Sequence, residues 1–465
     1  MDKETLSNYG WIVICVLVLA VMIALATPFG NFIKDAVWNT TNGLFDTNNN
    51  ALNNTLEDLG VVPTPEQLQA RYKFEYYSTF DGAVNDVNNG TIGTNADANK
   101  DHAVAGVYTN AGQTYVVLLK DTTVATRVQM SVDMTINLGG HTLSANDNVT
   151  LQPIAGTIVV DGRLDGSTIE NTTIGKASAR AIQCLNDSTT IINGGTYIGS
   201  SNYASANGSV IATFHTTTLS ISNANILSLG QGGMERGISI SSGNATITNT
   251  NITAKNENGS SIGLLNKGNA TIINCNIKAY SDYVATADSY ISYSTGVDND
   301  GNLTINDCYA MGTHSGVDNT GALYINGGIY EGYGHGGFYF CGPASGCTAY
   351  VRDAITRQIA MPNGYIDDGA GCNEAGMYIG GYAGEDNLSI YMDNCQIYGT
   401  RHAVVMNGNG NNTLYISNST MTGSKSIRID DVAKKVYIGI GNNFTADNAT
   451  IPSAVIATAE TYIQK

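Results

Sequence analysis

Thr218-Leu219-Ser220-Ile221-Ser222-Asn223-Ala224-Asn225-Ile226 returns further along the chain as Ala245-Thr246-Ile247-Thr248-Asn249-Thr250-Asn251-Ile252. The same phrase recurs as ATIINCNIKA from Ala270, LTINDCYA from Leu303, LYINGGIY from Leu323 and LYISNSTM from Leu414. Measured between Ile221, Ile247, Ile272, Ile305 and Ile325 the spacings are 26, 25, 33 and 20 residues, the size of one coil in a solenoid. Within each phrase apolar and polar residues alternate, the pattern of a strand with one buried face. An Asn or Gly follows. Both residue types enter the left-handed backbone region at low cost, so each can turn the chain sharply onto a new face. One such unit cannot bury its inward side chains alone, whereas stacked units share a column of Ile, Leu and Val and pair their strands edge to edge. The expected fold is all-β, a right-handed parallel β-helix of roughly ten coils. Cys275, Cys308 and Cys395 hold equivalent places in their phrases and are expected inside the column, where Cys acts as a small hydrophobe.

Composition agrees with a solenoid. Of 465 residues only 13% are charged, 53 are Gly and 7 are Pro, while 42% are apolar, enough for a continuous core. The net charge of −17 opposes nucleic acid and anionic headgroups as partners. No Cys spacing suggests a metal, and no cofactor motif is found; Cys341 and Cys347, either side of a Gly-Pro loop, are placed to bridge or to serve as unpaired structural residues.

Residues 1–33 form a separate unit, expected as a transmembrane helix. Trp11 to Ala26 is continuously apolar, and no charge falls between Glu4 and Lys34, long enough as a helix to span about 30 Å of hydrocarbon. Tyr9 and Trp11 suit one interface, Phe29 and Phe32 the other. A membrane anchor is the preferred reading; a signal cleaved after Ala24-Leu25-Ala26 and a polymerising pilin-like helix are the alternatives, although the pilins' early Glu is missing. Residues 34–65 read as an Asn-rich linker closed by Val62-Pro63-Thr64-Pro65, residues 66–110 as a capping region and residues 111–465 as the solenoid. The large remainder is placed outside the membrane, at the cell surface or secreted.

The stretch YVVLLKDTTVATRVQMSVDMTINLGGHTLSA, Tyr115 to Ala145, resembles the opening coils of the pectin-lyase-like superfamily, especially bacterial surface proteins, and Phe80-Asp81-Gly82-Ala83-Val84-Asn85-Asp86-Val87 is similar to their short capping helix. The resemblance covers the repeat region and implies the fold. It does not fix an activity, since these folds carry lyases, glycosidases, esterases and inert rods.

Catalytic residues are not assigned. Asp367-Asp368, Gly334-His335-Gly336 and Arg428-Ile429 echo polygalacturonase words, but the His word precedes the Asp pair and the Asn-Thr-Asp word is missing. Arg352, Arg357 and Arg401, the last beside His402, supply candidate lyase bases scattered between repeats. The Gly-rich stretch from Gly332 to Cys347 reads as an insertion between coils with exposed aromatics, so Tyr333, His335, Phe338 and Tyr339 are the candidate ligand-binding residues. Asn-x-Ser/Thr triplets at Asn244, Asn251, Asn269 and Asn302 follow from corner Asn meeting strand Thr. The preferred function is a membrane-anchored surface protein, adhesin-like or structural, presenting a rigid face to carbohydrate or protein. An extracellular polysaccharide lyase or glycosidase is the alternative, and a self-associating filament subunit the third.

Overall fold

The computed structural model describes residues 62–97, 99–172, 179–201, 207–281, 294–333, 335–342, 346–359, 375–380, 387–406, 411–429, 435–444 and 456–458. The chain divides into two units at Pro63, and almost all of the first, including the apolar run from Trp11 to Ala26, lies outside the described residues. Among those described, no helix is long and apolar enough to cross a membrane.

The second unit opens with two short helices. Helix α1, Pro65–Arg71, starts on a reciprocal cap between Thr64 and Gln67, with Pro at a position where a missing N–H costs nothing. Helix α2, Phe80–Asn88, is capped by the Thr79 hydroxyl, which accepts from the Gly82 N–H. It turns Phe80, Ala83, Val84 and Val87 into the main core and so closes the end of the column.

Thereafter strand follows strand around three faces. Among the described residues the strands fall into sheets of sixteen, thirteen and twelve. The first sheet begins with an antiparallel set, Glu75–Tyr77, Ala105–Asn110 and Gln113–Leu118; from Gln113–Leu118 onward its fourteen strands run parallel. Each coil visits the first, second and third sheets in turn, which makes the unit a parallel β-helix. It holds more coils than the expected ten: upstream of Thr218 the phrase persists as Ile192-Asn193-Gly194-Gly195-Thr196-Tyr197, and the coils before that keep the register.

Ile221, Ile247, Ile272, Ile305 and Ile325 pair in unbroken register and are at most 3% exposed. Full burial of each is worth about 1.5–3 kcal/mol before side-chain entropy is charged against it. Cys275, Cys308 and Cys395 join the same core.

The corners between first and second sheets are where Asn matters. Asn223, Asn249, Asn274, Asp307, Asn394 and Asn418 all have φ between 48° and 55°. Their backbone N–H groups are satisfied by the next coil: Asn223 donates to the Thr248 carbonyl at 3.1 Å, Asn249 to that of Ile273 at 3.0 Å and Asn274 to that of Asn306 at 3.0 Å. At Gly327 (φ 76°) a Cβ would stand 2.1 Å from Asp307 Oδ1, so this coil turns on Gly-Gly instead of Asn.

A second polar device runs inside. Asn266, Asn299 and Asn319 end successive third-sheet strands and are wholly buried. Asn266 Nδ2 donates to Asn299 Oδ1 at 2.8 Å, and Asn299 Nδ2 to Asn319 Oδ1 at 2.7 Å. The side-chain amides thus repeat the hydrogen-bond direction of the sheet itself.

Candidate functional site

Register decides which outward residues become neighbours. On the outer face of the first sheet Thr246, Thr271 and Thr304 are followed in successive coils by Tyr324, Tyr350, Tyr391, Tyr415 and Tyr437. The five rings stack with centroids 5.1, 4.9, 4.5 and 4.6 Å apart and planes within 12° of parallel. Each contact is worth about 0.5–1.5 kcal/mol beyond area burial. Face-to-face stacking hides ring faces and leaves edges and hydroxyls outward. Tyr324 differs: it begins the stack, its neighbour one coil earlier is Thr304, and it is 49% exposed. One of its faces therefore lacks an aromatic neighbour.

Beside this row runs a polar one, two residues further along each strand: Asn306, Asn326, Arg352 and Asp393. The Asp393 carboxylate already accepts from Ser417 Oγ and Asn418 Nδ2, both at 2.8 Å. The Arg352 guanidinium has no ion-pair or hydrogen-bond partner among the described residues. A groove of about 260 Å³ lies between the rows, lined by Thr304, Asn306, Tyr324, Asn326, Tyr350 and Arg352. Its chemistry is an open aromatic face, two side-chain amides and an uncommitted cation. The sequence reading missed this row, although the signal stands in LYI, AYV, IYM, LYI and VYI, in each of which Tyr is the middle residue.

The third sheet carries a different group. Asp298, Asp318, Tyr339 and Tyr378 are register neighbours on its outer face. Burial, followed by the charge of Asp318, raises the Asp298 carboxyl to about 8. Asp318 is itself buried and accepts from the Cys341 thiol at 3.3 Å. Nearby the rings of His314 and His335 lie 4.3 Å apart, with His335 packed on Tyr339 and Tyr378 at 4.7 and 5.0 Å. Burial lowers His335 to about 4, and burial together with His335 lowers His314. Among the described residues neither ring nitrogen of His335 has a hydrogen-bond partner.

The four residues chosen from sequence lie in a different setting from the one expected. Phe338–Phe340 is a third-sheet strand and not part of an inserted loop. Strand alternation drives Phe338 and Phe340 into the core, where Phe338 packs on Tyr330 at 4.8 Å, so Phe338 is not an exposed aromatic. Tyr339 points outward yet is only 7% exposed beneath its neighbours, and His335 is 8% exposed. Tyr333 is half-buried at the end of strand Ile329–Gly332, and its carbonyl accepts from Gln358 Nε2 at 3.4 Å.

The arginines do not converge. Arg352 ends a first-sheet strand, Arg357 lies in the second sheet paired with buried Glu331, and Arg401 is exposed just ahead of the third. Glu331 also accepts from the Tyr309 hydroxyl. Asp367 and Asp368 fall outside the described residues. Among those described no group of three or more His, Cys, Asp or Glu is assembled to hold a metal.

The class defined by this register is the parallel β-helix. No protein-family model matches the chain, and no curated protein matches it. Among solved structures it is similar to the crystal structure of pectate lyase Pel9A, at 14% identity over 70% of this chain and 74% of that one, with a TM-score of 0.30. So low a score carries no argument about activity, and the fold rests on the paired strands themselves.

Proposed function

We propose that the chain is a glycan-binding β-helix, held at the cell surface by residues 1–33, whose ligand lies along the groove beside the tyrosine row of the first sheet. The observation that carries this reading is the Tyr324 ring face, open above Thr304 and flanked by Asn306, Asn326 and Arg352. A sugar ring has an apolar face for an aromatic ring and a rim of hydroxyls for amides and guanidinium, so the groove matches both of its sides. A stack rigid through its neighbours loses little entropy on binding. In affinity electrophoresis against a panel of polysaccharides, the full chain is expected to be retarded by at least one, and Tyr324→Ala to lose the retardation by about tenfold, the equivalent of about 1.4 kcal/mol. Wild-type protein that runs free in every gel, or a variant retarded as strongly as wild type, rejects the proposal.

A second reading has its own observation. Asp298 beside Asp318 is a carboxyl pair in which one member holds its proton near neutral pH, the condition for a general acid in glycoside cleavage. It predicts new reducing ends when the protein is incubated with a polysaccharide, and none with Asp298→Asn. Wild-type protein that releases none removes this reading and leaves the binding one intact.

A further inference from the structure

We infer that the groove selects glycans whose sugar rings carry an anionic substituent, a carboxylate or a sulfate; this rests on the glycan-binding reading above. Arg352 supplies the charge that would make this selection. Its register neighbours are Asn326 in the coil before and Asp393 in the coil after; Asp393 accepts through Oδ1 from Ser417 and Asn418 and forms no ion pair with Arg352. Arg357, by comparison, is locked to buried Glu331, and Arg163 to Asp161 through two bonds of 2.8 Å. With 39 acidic against 22 basic residues the chain's long-range charge opposes an acidic glycan, so the selection rests on short-range pairing with Arg352, a guanidinium beside the groove that has no partner among the described residues. Guanidinium is built for planar two-point contact with carboxylate or sulfate, and an anion arriving here breaks no existing ion pair.

The position of the charge adds a geometric condition. Arg352 lies one coil beyond Asn326 and two beyond Asn306, while the open face of Tyr324 sits at the Thr304 end of the groove. A ring stacked on Tyr324 therefore meets the amides first, and the guanidinium is reached by a substituent directed along the rod axis towards the later coils. A neutral glycan makes the stacking and amide contacts and leaves Arg352 hydrated. An acidic one makes all three.

The test uses the full chain and matched oligosaccharides of one backbone in neutral, carboxylated and sulfated forms, titrated calorimetrically against wild type, Arg352→Gln, Arg352→Lys and Tyr324→Ala. Wild type is expected to bind at least one anionic form about tenfold more tightly than the neutral form, with the advantage shrinking as salt rises. Arg352→Gln should equalise the affinities, Arg352→Lys should keep part of the preference, and Tyr324→Ala should weaken every form together. The carboxylated and sulfated arms show which anion is preferred. Equal wild-type affinity for all forms, or a preference that survives in a folded Arg352→Gln protein, overturns the inference and leaves glycan binding standing. Failure of wild type to bind any form overturns both.

Discussion

At the scale of single residues, what the chain hides is as informative as what it displays. His335 is buried against His314, Tyr339 and Tyr378 with no polar partner among the described residues for either ring nitrogen, so the fold tolerates it only as a neutral ring. Its folded-state value, about 4, lies below the ordinary 6.5. The stabilisation is complete above about pH 6.5 and is lost as the pH falls towards about 4, by on the order of 3 kcal/mol from this residue. His314, depressed for the same reason, adds in the same direction. Chemical denaturation at a series of pH values should therefore show wild type weakening between pH 6.5 and 4.5, and His335→Leu with a visibly flatter profile. Identical profiles would mean the ring gains a proton without leaving its site. His335 could be picked from the sequence as unusual, but not as buried: the Gly-rich words around it look like loop, and only the pairing of Phe338 with Val317 and Met377 turns the segment into a strand. Tyr324 shows the converse. Its outward direction is legible in Leu-Tyr-Ile, whereas its place at the start of a stack is not, because lining up five tyrosines requires the length of every intervening coil.

The elements of this fold are ladders as much as strands, and their energies follow from continuity. Asn299 both donates to Asn319 and accepts from Asn266, and its amide nitrogen also donates to the Ala322 carbonyl at 3.1 Å. Replacing it by Ala leaves Asn266 and Asn319 each short of a buried partner, for an expected loss of about 2 kcal/mol. Asn299→Asp should be worse, since a buried carboxylate can still accept from Asn266 but cannot donate to Asn319. Urea midpoints should fall in the order wild type, Ala, Asp; an Ala variant as stable as wild type would show that water replaces the lost amide. The corner asparagines were readable beforehand because left-handed geometry is a local property, and the structure places them at φ near 50°. The buried ladder left a fainter trace: Asn299 and Asn319 both close the word Gly-Val-Asp-Asn and Asn266 closes Gly-Leu-Leu-Asn, yet only register shows that the three side chains meet.

For the whole molecule the same logic makes stability a sum over neighbouring coils, so a complete coil should be removable while a partial one is not. The shortest repeat measured here is suited to the purpose. Asn302 pairs with Ala322, so residues 302–321 are one full circuit of 20 residues, containing the strands Asn302–Asn306, Tyr309–Gly312 and Ser315–Asn319. Excising them joins Gly301 to Ala322 and sets Thr271 beneath Tyr324 in place of Thr304, keeping the open ring face while dropping Asn306 from the groove. It also removes Asp318, so Asp298 loses its charged neighbour and should release its proton more readily. The expected product is folded, parallel-β by circular dichroism, within a few degrees of wild type in melting temperature, and weaker but not silent in glycan binding. Removing residues 302–311 instead would leave a strand of the third sheet without its coil, shift the later phrases out of register and expose their aliphatic faces, and that protein should aggregate. Should the two deletions behave alike, stability would not be carried by coil-on-coil stacking, and the alignment of Tyr324 with the tyrosines after it would lose its physical basis.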